Sequence, residues 1–405
     1  MRKIVKGTSP KMEKEIAIFE VQDDGNFKCY SIKDKYFTIT KEQMNENRKN
    51  QRTSKYMLIK KNEIEPELKH VSIKKQCKII TKEADKLKII TGGKINLYKT
   101  GSVGKTSLQL FYDLSEYDEA EEIETYEVDI LERGKGAMIW GIKYKGYGYK
   151  YDFVSHYPSI MRSPKNKFPI GKGELKHLTK EEFEKLEFYQ FGMYHCHVRC
   201  IDKRVFRESA ERWYSHIELN YVRIKLKWDI TLVDDGEPNF LHYDSSKLVS
   251  GKQLFGEFVD YLFKLKKEHK CAKKYLNTLW GKLTQTNTIK MKTENIYEGR
   301  EVMSILPTDE GELIFETVIK QKFYETNFAR IKPFLLSYGR VKICNIILTN
   351  LDEVVRVHTD GIICKSKITN VELGNDIGML KFEGEGNVKI LNNNNYIWEE
   401  IKKIE

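Results

Sequence analysis

Tyr151-Asp152-Phe153-Val154-Ser155-His156-Tyr157-Pro158-Ser159-Ile160-Met161 (YDFVSHYPSIM) is the stretch that decides how this chain is read. It holds a carboxylate, an aromatic ring and a strand-to-helix turn within eleven residues. The pattern closes a short strand at Asp152 and turns the chain into a helix over Ser155–Ser159. A carboxylate at the end of a buried strand needs a cation beside it, and a metal ion is the usual one. One carboxylate does not hold a catalytic metal pair, so a partner is expected elsewhere. Asp360 is that partner, in Val354–Lys365 (VVRVHTDGIICK), where two β-branched runs flank an Asp-Gly hairpin signal.

A second element lies between the two carboxylates. Lys273–Gly281 (KKYLNTLWG) reads as a helix with Lys273, Asn277 and Gly281 four apart on one face. Lys266 and Lys270 extend that face backward. Lysines and an asparagine ending in a small residue suit a triphosphate, with a base pair sliding past the glycine. A solvated basic helix face is the bland alternative.

Composition narrows the class of protein. The 405 residues are 40% hydrophobic and 12% aromatic, which argues for a packed core. Seventy Lys+Arg against 59 Asp+Glu give a net charge of +11, which favours a polyanionic partner. No apolar run is long enough to span a bilayer, so no membrane partner is expected. The basic N-terminus lacks the apolar core of a secretory leader. Seven scattered cysteines fit reduced thiols in an intracellular compartment. His195-Cys196-His197 with Cys200 reads as strand filler rather than a zinc site, because alternate strand residues face opposite sides.

Two weakly alternating strands, IAIFEV and FKCYSI, and a lysine-rich stretch over 41–55 mark the first ninety residues. Lys105–Glu132 reads as helical and acidic. Glu208–Trp228, Gly251–Gly281 and Ala329–Thr349 carry further helical periodicity, with Ala329–Thr349 leading into the hairpin. Thr100–Thr106 (TGSVGKT) imitates a phosphate loop, but Lys99 stands where the first glycine of the motif belongs. A glycine-turned helix start is the better reading.

Taken in order, YDFVSHYPSIM, KKYLNTLWG and VHTDG resemble motifs A, B and C of the family B DNA polymerases. Ser337-Tyr338-Gly339-Arg340 is similar to the template–primer element of the viral and plasmid branch, which includes protein-primed enzymes. Gly378–Glu383, with Tyr396 beyond, resembles the stretch leading to that branch's KxY motif. The likeness covers about Glu121–Trp398. It implies an α+β fold: an antiparallel palm sheet with helices (121–250 and 286–405), a short helical fingers insertion (251–285) and an unassigned α/β region over 1–120. An additional insertion is expected at 286–328.

The resemblance also implies roles. Asp152 and Asp360 hold two Mg²⁺ ions, which Mn²⁺ can replace, with the Phe153 carbonyl assisting. Tyr157 lies under the incoming sugar. Lys273 grips the triphosphate with Lys266 or Lys270, and Asn277 lines the pocket. Gly281, Arg340 and Lys381 meet DNA. The implied partners are a DNA template–primer and deoxynucleoside triphosphates, with a terminal protein as primer in protein-primed members.

The chain departs from the family at four places. His358 replaces the first acidic residue of the DTD motif, Gly361 a serine, Trp280 a tyrosine and Asn394 the lysine of KxY. No Asp-x-Glu strand precedes residue 120, so proofreading is not expected, and little chain follows Tyr396 for a thumb. Two readings follow. One is an active polymerase, favoured by Asp152, Tyr157, Lys273, Asn277 and Asp360. The other is a non-catalytic palm that binds DNA or a partner, favoured by His358 and the short C-terminus.

Overall fold

The computed structural model describes residues 13–49, 54–61, 63, 68, 70–292, 296, 299–308, 311–319 and 322–400. The N-terminal residues read above for a leader, 1–12, and residues 50–53 of the lysine-rich stretch lie outside them. The chain forms two compact units: Met1–Leu114 with Lys264–Lys282, and Ser115–Phe263 with Leu283–Glu405.

In the first unit, β1 (Glu15–Val21) is central, between β2 (Phe27–Ser31) and β4 (Tyr56–Lys60), with β3 (Lys35–Ile39) outside β2. The β1–β2 and β2–β3 pairs are antiparallel, whereas β1 and β4 run parallel. Helix α1 (Ile73–Ile90) starts at Ser72, whose side chain accepts the Lys75 N–H. It packs Ile73, Cys77, Ile80 and Ala84 against Ile16, Ile18, Met57 and Ile59 of the sheet. Helix α2 (Val103–Leu114) begins after Gly101, which takes φ +83° and ends the short helix Leu97–Thr100. In the segment KINLY (94–98) that precedes the imitation phosphate loop, Leu97 and Tyr98 are helical, so no strand feeds that loop.

The second unit is built on a six-stranded sheet in the order β10-β9-β6-β8-β7-β5. Its strands are β5 (Ile139–Gly141), β6 (Tyr144–Phe153), β7 (Val354–His358), β8 (Gly361–Cys364), β9 (Leu380–Ile390) and β10 (Tyr396–Glu400). Every neighbouring pair is antiparallel. Side-chain alternation along β6 puts Tyr149, Tyr151 and Phe153 in one core with Ile343, Ile347, Val357, Ile362 and Leu380. Asp152 therefore faces the opposite side. Helix α3 (His156–Met161) follows β6, α4 (His216–Tyr221) comes later, and α5 (Ile331–Thr349) covers the core.

Three helical expectations change. The acidic stretch 105–132 is helical only to Leu114 and again over Thr125–Glu132. In 208–228, Trp213–Ser215 pairs with the strand Gly192–Val198, which leaves α4 and one π turn, Val222–Leu226. Tyr214 of that strand, with Leu219 and Val222 of the helical turns, shares the aromatic core of Tyr194, Phe206 and Phe240. The stretch 251–281 breaks at His269, where φ −133° and ψ 92° separate Gly251–Glu268 from Lys273–Leu283. Among the described residues of 286–328, three strands form a separate antiparallel sheet. No described helix is long and apolar enough to cross a membrane.

Entry into α5 is held by a fully buried ion pair. Arg330 donates from Nε and Nη2 to Glu127 at 2.8 and 2.7 Å, and to the carbonyls of Glu121 and Glu122. Glu127 also accepts the Tyr243 hydroxyl at 3.0 Å and the Gly173 N–H at 3.2 Å. Each of these donors meets an acceptor, which is what makes a buried charge pair tolerable. Glu127→Ala strands the guanidinium and should cost about 3–5 kcal/mol in urea unfolding. The paired change Glu127→Leu with Arg330→Met should cost clearly less, because no charge is left unmatched.

Candidate active site

Of the two carboxylates predicted to act together, Asp152 is on β6 and Asp360 is in the turn that leads into the neighbouring β8. Asp152 of β6 is in register with Gly361 of β8, and the Phe153 N–H donates to the Asp360 carbonyl at 3.1 Å. An added Cβ on Gly361 would stand 3.5 Å from Asp152 Oδ1, an ordinary contact distance. Lys381 of β9 is directly opposite Asp152 on its other side. A bulge between Phe382 and Gly384 turns Glu383 toward Lys150 and Lys381, 3.8 Å from each ammonium.

The turn carrying Asp360 departs from the expected Asp-Gly hairpin. Its linking residues are Thr359 and Asp360, and Gly361 is already in β8. Thr359, not the glycine, takes the positive φ, at +61°. The Asp360 N–H donates back to the His358 carbonyl at 2.8 Å, closing a γ-turn around Thr359. A β-branched residue at positive φ is strained, and such strain persists where the surroundings over-determine it. Here the Thr359 N–H is tied to the Met138 carbonyl at 2.9 Å, and His358 pairs with both Ile139 and Gly361.

Tyr157 sits on α3, 9% exposed. Burial chiefly pushes its phenol up to about 12, with the Arg340 charge opposing and Asp360 adding. It therefore lies within electrostatic reach of Asp360. Helix α5 crosses α3 at Gly339, where a Cβ would meet Tyr157 Cε1 at 2.9 Å and His156 Nε2 at 3.2 Å. Only a glycine lets the helices approach so closely. His156 stacks near Phe153 and Tyr157 and is pushed down to about 3 by burial and the nearby Lys342 charge. Lys342 braces the same turn: it donates to Ser159 Oγ at 3.1 Å and to the Gly378 carbonyl at 2.8 Å, over the Phe153 ring.

No protein-family model matches this chain, and no curated protein does. Solved structures do. Phi29 DNA polymerase complexed with single-stranded DNA aligns at TM-score 0.58 and 19% identity, over 84% of this chain and 60% of that one. The same polymerase with primer-template DNA and incoming nucleotides aligns at TM-score 0.58 and 19% identity, over 84% and 62%. The fold is that of a family B DNA polymerase. The chain spans about three fifths of the length of the phi29 structures it matches.

Within this polymerase fold, Arg340 is not where the motif reading put it. Rather than offering a guanidinium to DNA, it is 4% exposed and fully engaged. It donates to Glu218 at 3.0 Å, to the Lys135 and Gly136 carbonyls at 2.7 and 2.8 Å, and to Ser337 Oγ at 2.9 Å. Lys135 approaches the same Glu218 at 2.7 Å. Burial alone would raise the Glu218 carboxyl, but the Arg340 and Lys135 charges outweigh it and hold the group at about 2. Burial in turn pushes Lys135 down to about 7 despite that partner. Arg340 thus positions backbone, and its assignment to DNA is withdrawn.

Lys135, Glu218 and Lys342 escaped the sequence reading because none belongs to a recognised motif. The one available signal was Glu218, a lone acid in the otherwise uncharged run 213–222.

The basic helix belongs to the first unit. Lys270, Lys273, Asn277 and Gly281 are all exposed, and an added Cβ on Gly281 meets nothing within 4 Å. Lys266 is pushed down by burial, then by Lys273 and Lys267, so its ammonium lies close to two like charges. Despite the break at His269, a basic face exists. Of the departures from the family, Asn394 lends its carbonyl to Arg356, whose guanidinium lies 4.6 Å over the Tyr396 ring.

Gly339→Ala should cost about 1–3 kcal/mol in thermal unfolding, since α3 must shift. Acid should also destabilise the fold early. His156 and His216, pushed down to about 3 and about 4 from an ordinary 6.5, stay neutral when folded while the unfolded chain takes up protons. The melting temperature should therefore fall from pH 6.5 toward 4.5, before Glu218 starts to matter, and His156→Phe should make that decline shallower.

Proposed function

We propose that the chain is a template-directed DNA polymerase acting by nucleotidyl transfer in the replication of a virus, plasmid or mobile element. The observation that carries the reading is the pairing of β6 with β8, which sets Asp152 and Asp360 side by side, with Tyr157 in reach of Asp360. The six-stranded sheet serves as the palm and the basic helices as the fingers.

Two carboxylates with a backbone carbonyl nearby form a donor set that suits Mg²⁺, which takes few protein ligands and completes its shell with phosphate oxygens and water. Asp152, Asp360 and the Phe153 carbonyl would hold the ions. When bound, they activate the primer hydroxyl and offset charge on the leaving pyrophosphate. Tyr157, held by the Gly339 crossing, presents a ring face to the sugar and leaves no room for a 2′-hydroxyl. Lys273, with Lys266 and Lys270, takes the triphosphate, whose charge relieves the crowding among these ammonium groups. Asn277 and Gly281 face the nascent base pair, and Lys381 meets the primer backbone from beside Asp152.

Primer extension with Mg²⁺ or Mn²⁺ tests this. Asp360→Ala should lower the rate by roughly a thousandfold or more, because a metal carboxylate is removed. Tyr157→Val should admit ribonucleotides that the wild type rejects. If the wild type incorporates nothing with either metal, the non-catalytic DNA-binding reading replaces this one.

A further inference from the structure

At the end of the main sheet remote from the carboxylates, Lys143, Tyr144, Lys145, Lys389, Ile390 and Leu391 line a cavity of about 390 Å³. No acidic side chain is among them. Lys145 and Lys389 are direct cross-strand partners on β6 and β9. Like charges in that relation destabilise a sheet, so the pairing needs a compensating anion or a reason to persist without one. None of the three lysines has an ion pair or hydrogen bond from its ammonium among the described residues. The wall between them is fixed: the Tyr144 hydroxyl donates to the Tyr147 carbonyl at 2.7 Å, and Ile390 packs in a small core with Val388 and Tyr396.

Lys145 lies seven residues before Asp152 on an unbroken strand, about 23 Å away at roughly 3.3 Å per residue. The cavity is therefore separate from the carboxylate pair. We infer that the Lys143–Lys145–Lys389 cleft is a second nucleic-acid site, taking the phosphodiester backbone of a strand outside the catalytic centre. Two cations paired across β6 and β9, with Lys143 just before β6 as a third, match a repeating polyanion better than a single ion, and the Tyr144 ring and Leu391 offer a surface for a sugar or base. The anion site stands on this geometry alone; the choice of nucleic acid over another polyanion rests on the polymerase reading.

The test is fluorescence anisotropy of a labelled 20-nucleotide single strand across a salt series. Lys145→Gln with Lys389→Gln should reduce the slope of log affinity against log salt by about 1.4, at roughly 0.7 for each phosphate no longer neutralised. Lys78→Gln with Lys82→Gln, an equal reduction of charge on exposed positions of α1, should change it far less. Lys389→Glu should weaken binding further yet raise the melting temperature of the free protein, since it turns a repulsive pair into an attractive one. All slopes are repeated in an Asp360→Asn background, so that absence of synthesis is read apart from absence of strand binding at this cleft. A slope unchanged in the double variant, or one equally reduced in the control, overturns the site. Displacement of the strand by polyglutamate at equal charge concentration overturns nucleic acid as its occupant.

Discussion

Glu218 is the charge on which the candidate active site rests. It is one buried carboxylate between two buried cations, and without it Arg340 and Lys135 would repel each other in the core. With it in place, Arg340 seizes the carbonyls of Lys135 and Gly136, and Arg207 takes that of Ala137. The next carbonyl, Met138, then receives the Thr359 N–H. Of this run of four backbone carbonyls, three are thus held by cations and the fourth is spent on the turn bearing Asp360. A buried cluster of this kind adds little net stability over an apolar core, but it dictates one arrangement.

The same logic explains why strain at Thr359 survives. A γ-turn centred on a β-branched residue has no local preference in its favour. It is held because His358 is paired on both sides and because the Met138 carbonyl is already in position. Asp360 then stands where the turn sends it, beside Asp152. Around Tyr157 the constraint is steric instead: Gly339 removes one side chain so that two helices can touch, and the phenol has nowhere else to go. The two devices, one electrostatic and one of shape, act on groups that lie within electrostatic reach of each other.

The basic helix and the sheet divide the proposed chemistry by charge. Carboxylates are gathered on strand ends, where backbone pairing fixes their spacing. Lysines are set on exposed helix faces, where long side chains can adjust to a ligand that moves. The remote lysine pair on β6 and β9 breaks this pattern, since it places flexible cations at fixed cross-strand positions with no acidic neighbour in the cleft.

Asp152, Tyr157, Lys273, Asn277 and Asp360 were picked out in the sequence by short, ordered patterns, and their roles are those proposed above. The alternation along β6 and the β-branched runs around Asp360 likewise made the strands readable, since period two follows from backbone geometry alone. Tertiary structure decided the rest. Trp213–Ser215 became strand because a partner strand was there to pair with, which local periodicity does not report. Arg340 was assigned to DNA by its motif, yet a buried acid 122 residues away in sequence claims it. The turn's positive φ fell on Thr359 rather than Gly361 because Met138 and Ile139 pin the residues before it. Local patterns name side chains suited to a task, but which of them face a ligand and which hold the frame depends on packing between segments distant in the chain.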